Sequence, residues 1–416
     1  MNFSYFRRRW IRPLLRDPLI LPFYVPAFLV FLGFGFITPV LPLYVESFEI
    51  SYRWVGLVLS AQAFGMLLSD LPNGLLLRRL GHKRAMLLGI GALVLARLAF
   101  SWAGSVPELF LYRLLSGFGM SLYGVARHAY VTGRAKVATR GRALALFGGL
   151  MRIGRFIGPM VGGYLAAGLG LRFSFVISGL VSALGIIFVL TFVSRTPSGE
   201  RSSSEVAAQD SEVRLFPMLG RQLELLVPAG VGQIFVQMIR SGRGTIIPLY
   251  AAGVIGMEVD EIGLMVGIAA AVEMMMFIPA GWLMDNMGRK YALVPSFAIQ
   301  AIAMALVPLT QSFGALLACA SLAGLGNGLS SGGMMTLGAD LAPTKGRGEF
   351  LGVWRLIGDA GGTGGPAVVG WVADAFALPS AALALGASGM MAALIFGFLL
   401  PETRQPESEM ASAASS

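Results

Sequence analysis

Twelve stretches of the chain are apolar over roughly 19 to 30 residues, and about 20 helical residues suffice to cross the hydrocarbon core of a bilayer. They lie near 19–45, 54–77, 85–103, 107–130, 141–166, 173–193, 223–254, 260–284, 291–309, 314–338, 350–373 and 379–400. Lipid offers no partners to open backbone groups, so such stretches are expected to be α-helices. Only 13% of the 416 residues are charged, where a soluble domain carries about 25%. So few charges cannot cover a water-facing surface of this size. The 55 glycines suit close helix contacts in a membrane. The first stretch is too long for a cleaved signal peptide and no small-residue cleavage site follows it, so it is expected to stay as a span.

The net charge of +10 is a topology signal rather than a sign of nucleic acid binding. Basic residues gather in alternate connections: Arg7, Arg8, Arg9, Arg12 and Arg16; Arg78, Arg79, Lys83 and Arg84; Arg127, Arg134, Lys136, Arg140 and Arg142; Arg195, Arg201, Arg214 and Arg221; Arg289 and Lys290; Lys345 and Arg347; then Arg404. The intervening connections hold only Arg53 and Arg172, beside Glu46, Glu49, Glu108, Glu258, Asp260, Glu261 and Asp374. This positive-inside pattern places both termini in the cytoplasm, consistent with a multi-pass protein of a bacterial-type inner membrane. The lone Cys319 allows no intramolecular disulfide. His82 and His128 stand far apart in basic connections, so no metal site is expected. Neither a nucleophile–base pair nor a nucleotide-binding Gly-Lys-Ser/Thr motif is apparent, so no cofactor is expected and the chain is not read as an enzyme.

The polar, Ser-rich stretch 195–222 reads as a flexible cytoplasmic linker. It divides the chain into halves at 1–194 and 223–400, with a disordered tail at 401–416. The halves match at a nearly constant offset. Pro72 and Gly74 pair with Pro279 and Gly281, Gly81 and Lys83 with Gly288 and Lys290, and Gly117 and Gly119 with Gly324 and Gly326, all at 207. Arg140-Gly141 and Gly158-Pro159 repeat at the same distance as Arg347-Gly348 and Gly365-Pro366. Pro42-Leu43-Tyr44 repeats at 206 as Pro248-Leu249-Tyr250. Chance matches would scatter in offset; a constant one indicates duplication. Six spans per half make the copies parallel repeats, an arrangement that leaves a site between halves able to open to either side.

Three segments resemble the Major Facilitator Superfamily. The connection after span 8 contains Gly281, Asp285, Gly288, Arg289 and Lys290, similar to the family's cytoplasmic signature Gly-x3-Asp-Arg-x-Gly-Arg-Lys. Its glycines permit a tight turn and its charges can latch helix ends. The first-half copy keeps Gly74 and Gly81 but has Arg78 where the family has Asp; Asp70 stands four residues before Gly74 as a partial substitute. The fourth span, with Arg113, Gly117 and Gly119, resembles the family's arginine motif, linked in proton-coupled members to proton transfer. The fifth span, with Gly154, Gly158, Pro159, Gly162 and Gly163, resembles the antiporter motif of the twelve-span drug–proton exporters. Glycines at i, i+4 and i+8 make a smooth helix face, and Pro159 bends the helix. Such faces also serve ordinary helix packing. The resemblance covers residues 19–400 and implies an all-α membrane protein of twelve helices in two six-helix repeats that works by alternating access.

Seven arginines fall inside spans: Arg97, Arg113, Arg152, Arg155, Arg240, Arg243 and Arg355. Each would cost roughly 2.5–3.5 kcal/mol facing lipid at the bilayer centre, so most are expected to meet a wet cavity or a partner. Those near span ends, such as Arg243, can snorkel. Gln233, Gln237 and Arg240 share one face of span 7, Arg152 and Arg155 one face of span 5, and Arg355 and Asp359 one face of span 11. Together with Arg152, Arg155 and Arg355, the span 7 face is the expected substrate cavity. The resemblance places span 5 against span 8 and span 2 against span 11. Arg152 and Glu273 each lie about 11 residues from a cytoplasmic helix end, or roughly 16 Å deep. The expectation is an Arg152–Glu273 contact, with Asp70 level with Arg355 and Asp359. Such pairs serve either as gates or as static structural links. Asp70, Glu273 and Asp359, with Arg113, are the candidates for proton coupling or gating, since buried carboxylates can be held protonated.

Span 1 carries no ionisable side chain but tyrosine between Pro18 and Tyr44, whereas several exporters of cationic drugs in the family it resembles carry an acid there. The buried balance is basic, so an anionic, amphiphilic or lipid-like cargo fits as well as a cationic drug. Met274, Met275 and Met276 are consecutive, so most of that run is expected to pack rather than line a cavity. The leading expectation is a secondary transporter, driven by the proton gradient, exporting an amphiphilic small molecule and acting as a monomer among membrane lipids. Import of an organic anion or nutrient, or lipid flipping on the same fold, are the alternatives.

Overall fold

The computed structural model describes residues 19–134, 137–194, 223–343 and 346–403. The linker expected at 195–222, the arginines from Arg7 to Arg16, Lys136, Lys345, the tail from Arg404 onward and the side chains of Arg140 and Arg142 lie outside the described residues. Among the described residues the structure is helical, with no strand. The α-helices are α1 (Val25–Ile37), α2 (Val40–Glu46), α3 (Tyr52–Ser101), α4 (Val106–Arg134), α5 (Val137–Leu169), α6 (Leu171–Phe192), α7 (Leu223–Tyr250), α8 (Val259–Met275), α9 (Phe277–Asn286), α10 (Arg289–Leu306), α11 (Phe313–Leu329), α12 (Gly333–Leu341), α13 (Arg347–Ala375) and α14 (Leu378–Leu394).

They make up the twelve expected spans. α1 and α2 are one span broken at Pro39, which lacks the N–H to continue the ladder. α3 is two spans joined at Gly81, whose φ of 72° and ψ of 167° turn the chain. α8 with α9, and α11 with α12, are each one span; the second breaks at Gly332, φ 81°. By length and apolarity alone, eight helical stretches qualify as membrane-crossing, with α3 counted once. The helices that fall short are α5, α7 and α13. These carry Arg152 and Arg155, Arg240 and Arg243, and Arg355 and Asp359. Large apolar side chains such as Leu71, Ile278 and Phe398 are exposed, as the surface of a membrane-spanning chain allows.

The duplication extends to individual contacts. A Cβ on Gly117 would strike the carbonyl of Gln62, and one on Gly324 that of Ala269. Gly119 presses on the Gly89 carbonyl and Gly326 on that of Ser296; Gly158 meets Gly35 and Gly365 meets Gly242. In each case both members of the contact shift by 207. Hydrogen bonds follow the same rule: Lys83 Nζ donates to Leu190 O at 2.7 Å, and Lys290 Nζ to Gly397 O at 2.9 Å. Tyr44 Oη donates to Phe100 O at 2.8 Å and Tyr250 Oη to Thr310 O at 3.2 Å, each tying its span to the end of its own half's third span.

Packing divides the chain into two units that differ slightly from the repeat. The first takes residues up to 49, 61–208 and 258–267; the second takes 50–60, 209–257 and 268 onward. The short exchanged stretches follow glycine contacts. Gly56 lies against Gly370 within the second unit, and Gly263 against Gly163 within the first, where the missing side chains let backbones meet. The core of the first unit gathers Phe23, Phe31, Leu122, Tyr123 and Phe147. That of the second gathers Phe297, Phe350, Trp354 and Phe396.

Candidate functional site

In the second unit, α7 carries the expected polar face. Gln233 is buried and Gln237 half-buried. Arg240 Nη2 donates to Ser330 Oγ at 2.6 Å and Ser330 O at 3.3 Å, at the break between α11 and α12. Its guanidinium also lies 5.6 Å from the Phe297 ring. One turn further along α7, Arg243 does not snorkel. It donates to Ala323 O at 2.9 Å and pairs with Glu273 of α8 at 3.0 Å, with both side chains about one-fifth exposed (18% and 22%). Arg355 and Asp359 do meet, at 3.6 Å across one turn of α13.

In the first unit, buried Arg113 donates from Nη1 to Gln62 Oε1. Asp70 accepts from Ser121 Oγ of α4. Asn73 Nδ2 donates to the same hydroxyl at 2.9 Å and to Phe118 O at 3.3 Å. Arg152 Nη1 donates to Gly148 O at 3.1 Å, and Arg155 is exposed. The expected Arg152–Glu273 contact, and the levelling of Asp70 with Arg355 and Asp359, would join the two units and stand as expectations. Arg152 and Asp359 occupy matching positions of the two copies, one basic and one acidic.

The glycine face of α5 packs as its spacing requires. Gly154, Gly158 and Gly162 press on α1 at Leu32, Gly35 and Phe36, while Gly163 faces the start of α8. Gly162 and Pro159 are buried.

The connection after span 8 differs in part from expectation. Gly288 turns the chain with φ 118°, ψ 168°, matching Gly81 in the first half. Gly74 and Gly281 have open space where a Cβ would sit, so they are helix residues rather than turn formers. Asp285 is 79% exposed and, among the described residues, holds a 3.6 Å contact to Arg289 of its own connection. The tighter latch is Arg289 Nε to Asp340 of α12 at 3.0 Å, with Arg289 Nη1 donating to Met284 O at 2.7 Å. Glu402 completes it: its carboxylate accepts from the backbone N–H of Arg289 at 2.8 Å and of Lys290 at 3.0 Å. Thr403 Oγ1 donates to Asp340 at 3.2 Å. Glu402 and Thr403, at the start of the expected disordered tail, are therefore held by hydrogen bonds.

Sequence reasoning missed Gln62, Ser121, Ser330, Asp340 and Glu402. Each is an ordinary polar residue at a span end or in a span face, and only its partner reveals it. For Glu402 a signal existed, a carboxylate directly after the last span and opposite the free N–H groups of a helix start.

A model described as the Major Facilitator Superfamily matches residues 24–231 and again 229–415. An uncharacterised MFS-type transporter of Methanocaldococcus jannaschii is 22% identical over 84% of this chain and 90% of its own length. Multidrug resistance protein 2 of Bacillus subtilis is 24% identical over 63% of this chain and 66% of its own length. Quinolone resistance protein NorA of Staphylococcus aureus is 27% identical over 41% of this chain and 43% of its own length. The crystal structure of a D-xylose–proton symporter superposes with a TM-score of 0.74 at 18% identity, covering 92% of this chain and 98% of that one. An inward-facing bacterial homologue of the human lysosomal transporter Spinster gives 0.73 at 17% identity, covering 94% and 96%. These two likenesses concern the fold. With the family matched twice along the chain and several helix contacts repeated between its halves, this protein belongs to the Major Facilitator Superfamily: a multi-pass membrane transporter of small molecules, not an enzyme.

Proposed function

We propose that the chain exports an amphiphilic small molecule in exchange for protons, with cargo met by the Gln233, Gln237 and Arg240 face of α7 and coupling carried by Glu273. The observation that carries this reading is the Arg243–Glu273 pair, 3.0 Å long and partly exposed inside two spans. A carboxylate paired with a guanidinium and still reachable can lose its charge to a proton, and doing so weakens its hold on Arg243. Glu273 is thus a single group whose protonation changes the links of α7 to α8. The direction of transport is supported by relatives named for multidrug and quinolone resistance and by the antiporter-type glycines of α5. A guanidinium on the cargo face favours cargo with an acidic or strongly hydrogen-bonding group. The basic connections support cytoplasmic termini in a bacterial-type inner membrane, with the monomer as the working form and the proton gradient as the drive.

The test is flux in proteoliposomes with an imposed pH gradient. Glu273→Gln is expected to lower uphill transport about tenfold or more while cargo binding persists. Undiminished uphill transport in Glu273→Gln, Asp70→Asn and Asp359→Asn alike would refute carboxylate coupling. Protons moving with cargo rather than against it would instead establish import.

A further inference from the structure

The two halves treat their repeated basic turn differently. In the second half three carboxylates attend it: Asp285, Asp340 and Glu402 each meet Arg289 or Lys290. The 207-residue offset carries these acids onto Arg78, Gly133 and Arg195, and carries Arg289 and Lys290 onto His82 and Lys83. The scaffold around the turn is kept. Gly81 turns the chain as Gly288 does, and Lys83 repeats the bond of Lys290 to the end of its half's last span. What is lost is the negative charge. Among the described residues no carboxylate pairs with Arg78, Arg79, Lys83, Arg84 or Arg134.

The first-half cations converge on one place, the end of α6. Lys83 Nζ donates to Leu190 O at 2.7 Å, and Arg134 Nη2 donates to Ser194 Oγ, four residues further on. His82 lies beside Arg134: burial, with the Arg134 charge added to it, pushes its imidazole below the usual histidine range. A helix C-terminus attracts cations, but it carries only about half a negative charge. Lys83 and Arg134 already exceed that, and exposed Arg78, Arg79 and Arg84 add to the surplus. The second half offsets the corresponding charge with its own acids.

This place is also continuous with an apolar surface. Leu180, Leu184 and Ile187 of α6 stand at i, i+4 and i+7, and all three are exposed. The stripe runs toward the helix end that Lys83 binds. Phe188 and Phe192 stack near that end with ring centroids 6.0 Å apart. A ligand matched to both features has an anionic phosphate joined to hydrocarbon chains.

We propose that an anionic glycerophospholipid binds here, its phosphate among His82, Lys83 and Arg134 and an acyl chain along the exposed stripe of α6. The lipid supplies the first half with the negative charge that Asp340 and Glu402 supply to the second. The site is separate from the cargo face of α7 and requires nothing of the export reading.

The experiment titrates the full chain, purified in detergent, with phosphatidylglycerol or with phosphatidylcholine of the same acyl chains, and counts bound lipid by native mass spectrometry. Phosphatidylglycerol is expected to bind about tenfold more tightly. Gly133→Asp restores the acid of the second half at a position where a Cβ meets nothing within 4 Å. It should remove most of the preference, as should Arg134→Gln. Lys290→Gln breaks the equivalent lysine bond in the second half and should leave the preference intact. Equal affinities for the two lipids, a preference that survives Gly133→Asp, or one lost in Lys290→Gln would overturn the proposal. Displacement of phosphatidylglycerol by an equal concentration of glycerol phosphate would also overturn it, by marking a site for a free phosphate ester. The comparison of the two lipids uses the unaltered chain and decides the matter whether or not the variants fold.

Discussion

Arg127 shows how far a charged residue can depart from its sequence reading. It sits in a run of basic residues and is expected in a cytoplasmic connection, yet it is 5% exposed in the core of the first unit. Its guanidinium lies 4.0 Å from the Phe147 ring centroid, 5.2 Å from Tyr123 and 5.4 Å from Phe31. A desolvated cation over an aromatic face is worth about 2 kcal/mol. Phe147→Leu keeps the site apolar but removes the closest ring, and is expected to cost about 1–3 kcal/mol in reversible denaturation. A change under about 0.5 kcal/mol would mean that the rings merely fill space. A local clue to this burial existed. Arg127 follows Arg113 by 14 residues, about four helical turns, so both share one face of α4. What the sequence could not disclose is that aromatic rings from α1 and α5 close over that face, because ring placement depends on packing between elements far apart in the chain. The same limit explains Glu273: its charge and its span were legible, but its partner Arg243 was mistaken for a span-end residue.

Among elements, the turn before α10 has the clearest division of labour. Two glycines of one motif, Gly281 and Gly288, look equivalent in sequence and are not. Gly288 holds φ 118°, ψ 168°, a region open essentially to glycine alone, and a Cβ there would also meet the Glu402 carboxylate. Gly288→Ala is expected to lose about 1–3 kcal/mol, whereas Gly281→Ala, in open space, should stay within about 0.5 kcal/mol. Thermal unfolding of the two variants in one detergent checks the contrast, and equal losses would contradict it. Removing the carboxylate alone, in Glu402→Ala, should cost about 0.5–2 kcal/mol, the range for a lost helix N-cap. Helix existence and the glycine turn of the repeated motif were legible because apolar length and Gly act locally, whereas the breaks at Pro39 and Gly332 inside single spans were not foreseen. The partners that fasten the ends were less so, since Asp340 and Glu402 arrive from other spans.

Across the whole molecule, the duplication was the most legible property, because the 207-residue offset is written in residue identities that packing demands. Gly117 and Gly324 are each pressed against a carbonyl of the second span in their own half. Substituting alanine at either forces two backbones apart, and overpacking of this kind costs about 1–3 kcal/mol. The two variants should lose similar stability, measured by unfolding of the full chain. A large loss at one site and none at the other would show that the copies no longer share this contact. What the repeat did not foretell is the division into units, in which 50–60 and 258–267 change sides. Those boundaries follow from two glycine pairs, Gly56 with Gly370 and Gly263 with Gly163, which the 207-residue offset itself relates and which lie in spans that the resemblance sets side by side.

Arg152 and Asp359 occupy the same place in the two copies, and the fold accommodates a guanidinium in one and a carboxylate in the other. A scaffold whose helix contacts rest on glycines and carbonyls leaves such positions free to invert their sign. Descendants of one ancestral half could thereby come to handle cargo of opposite charge through single-residue changes, with the architecture held constant.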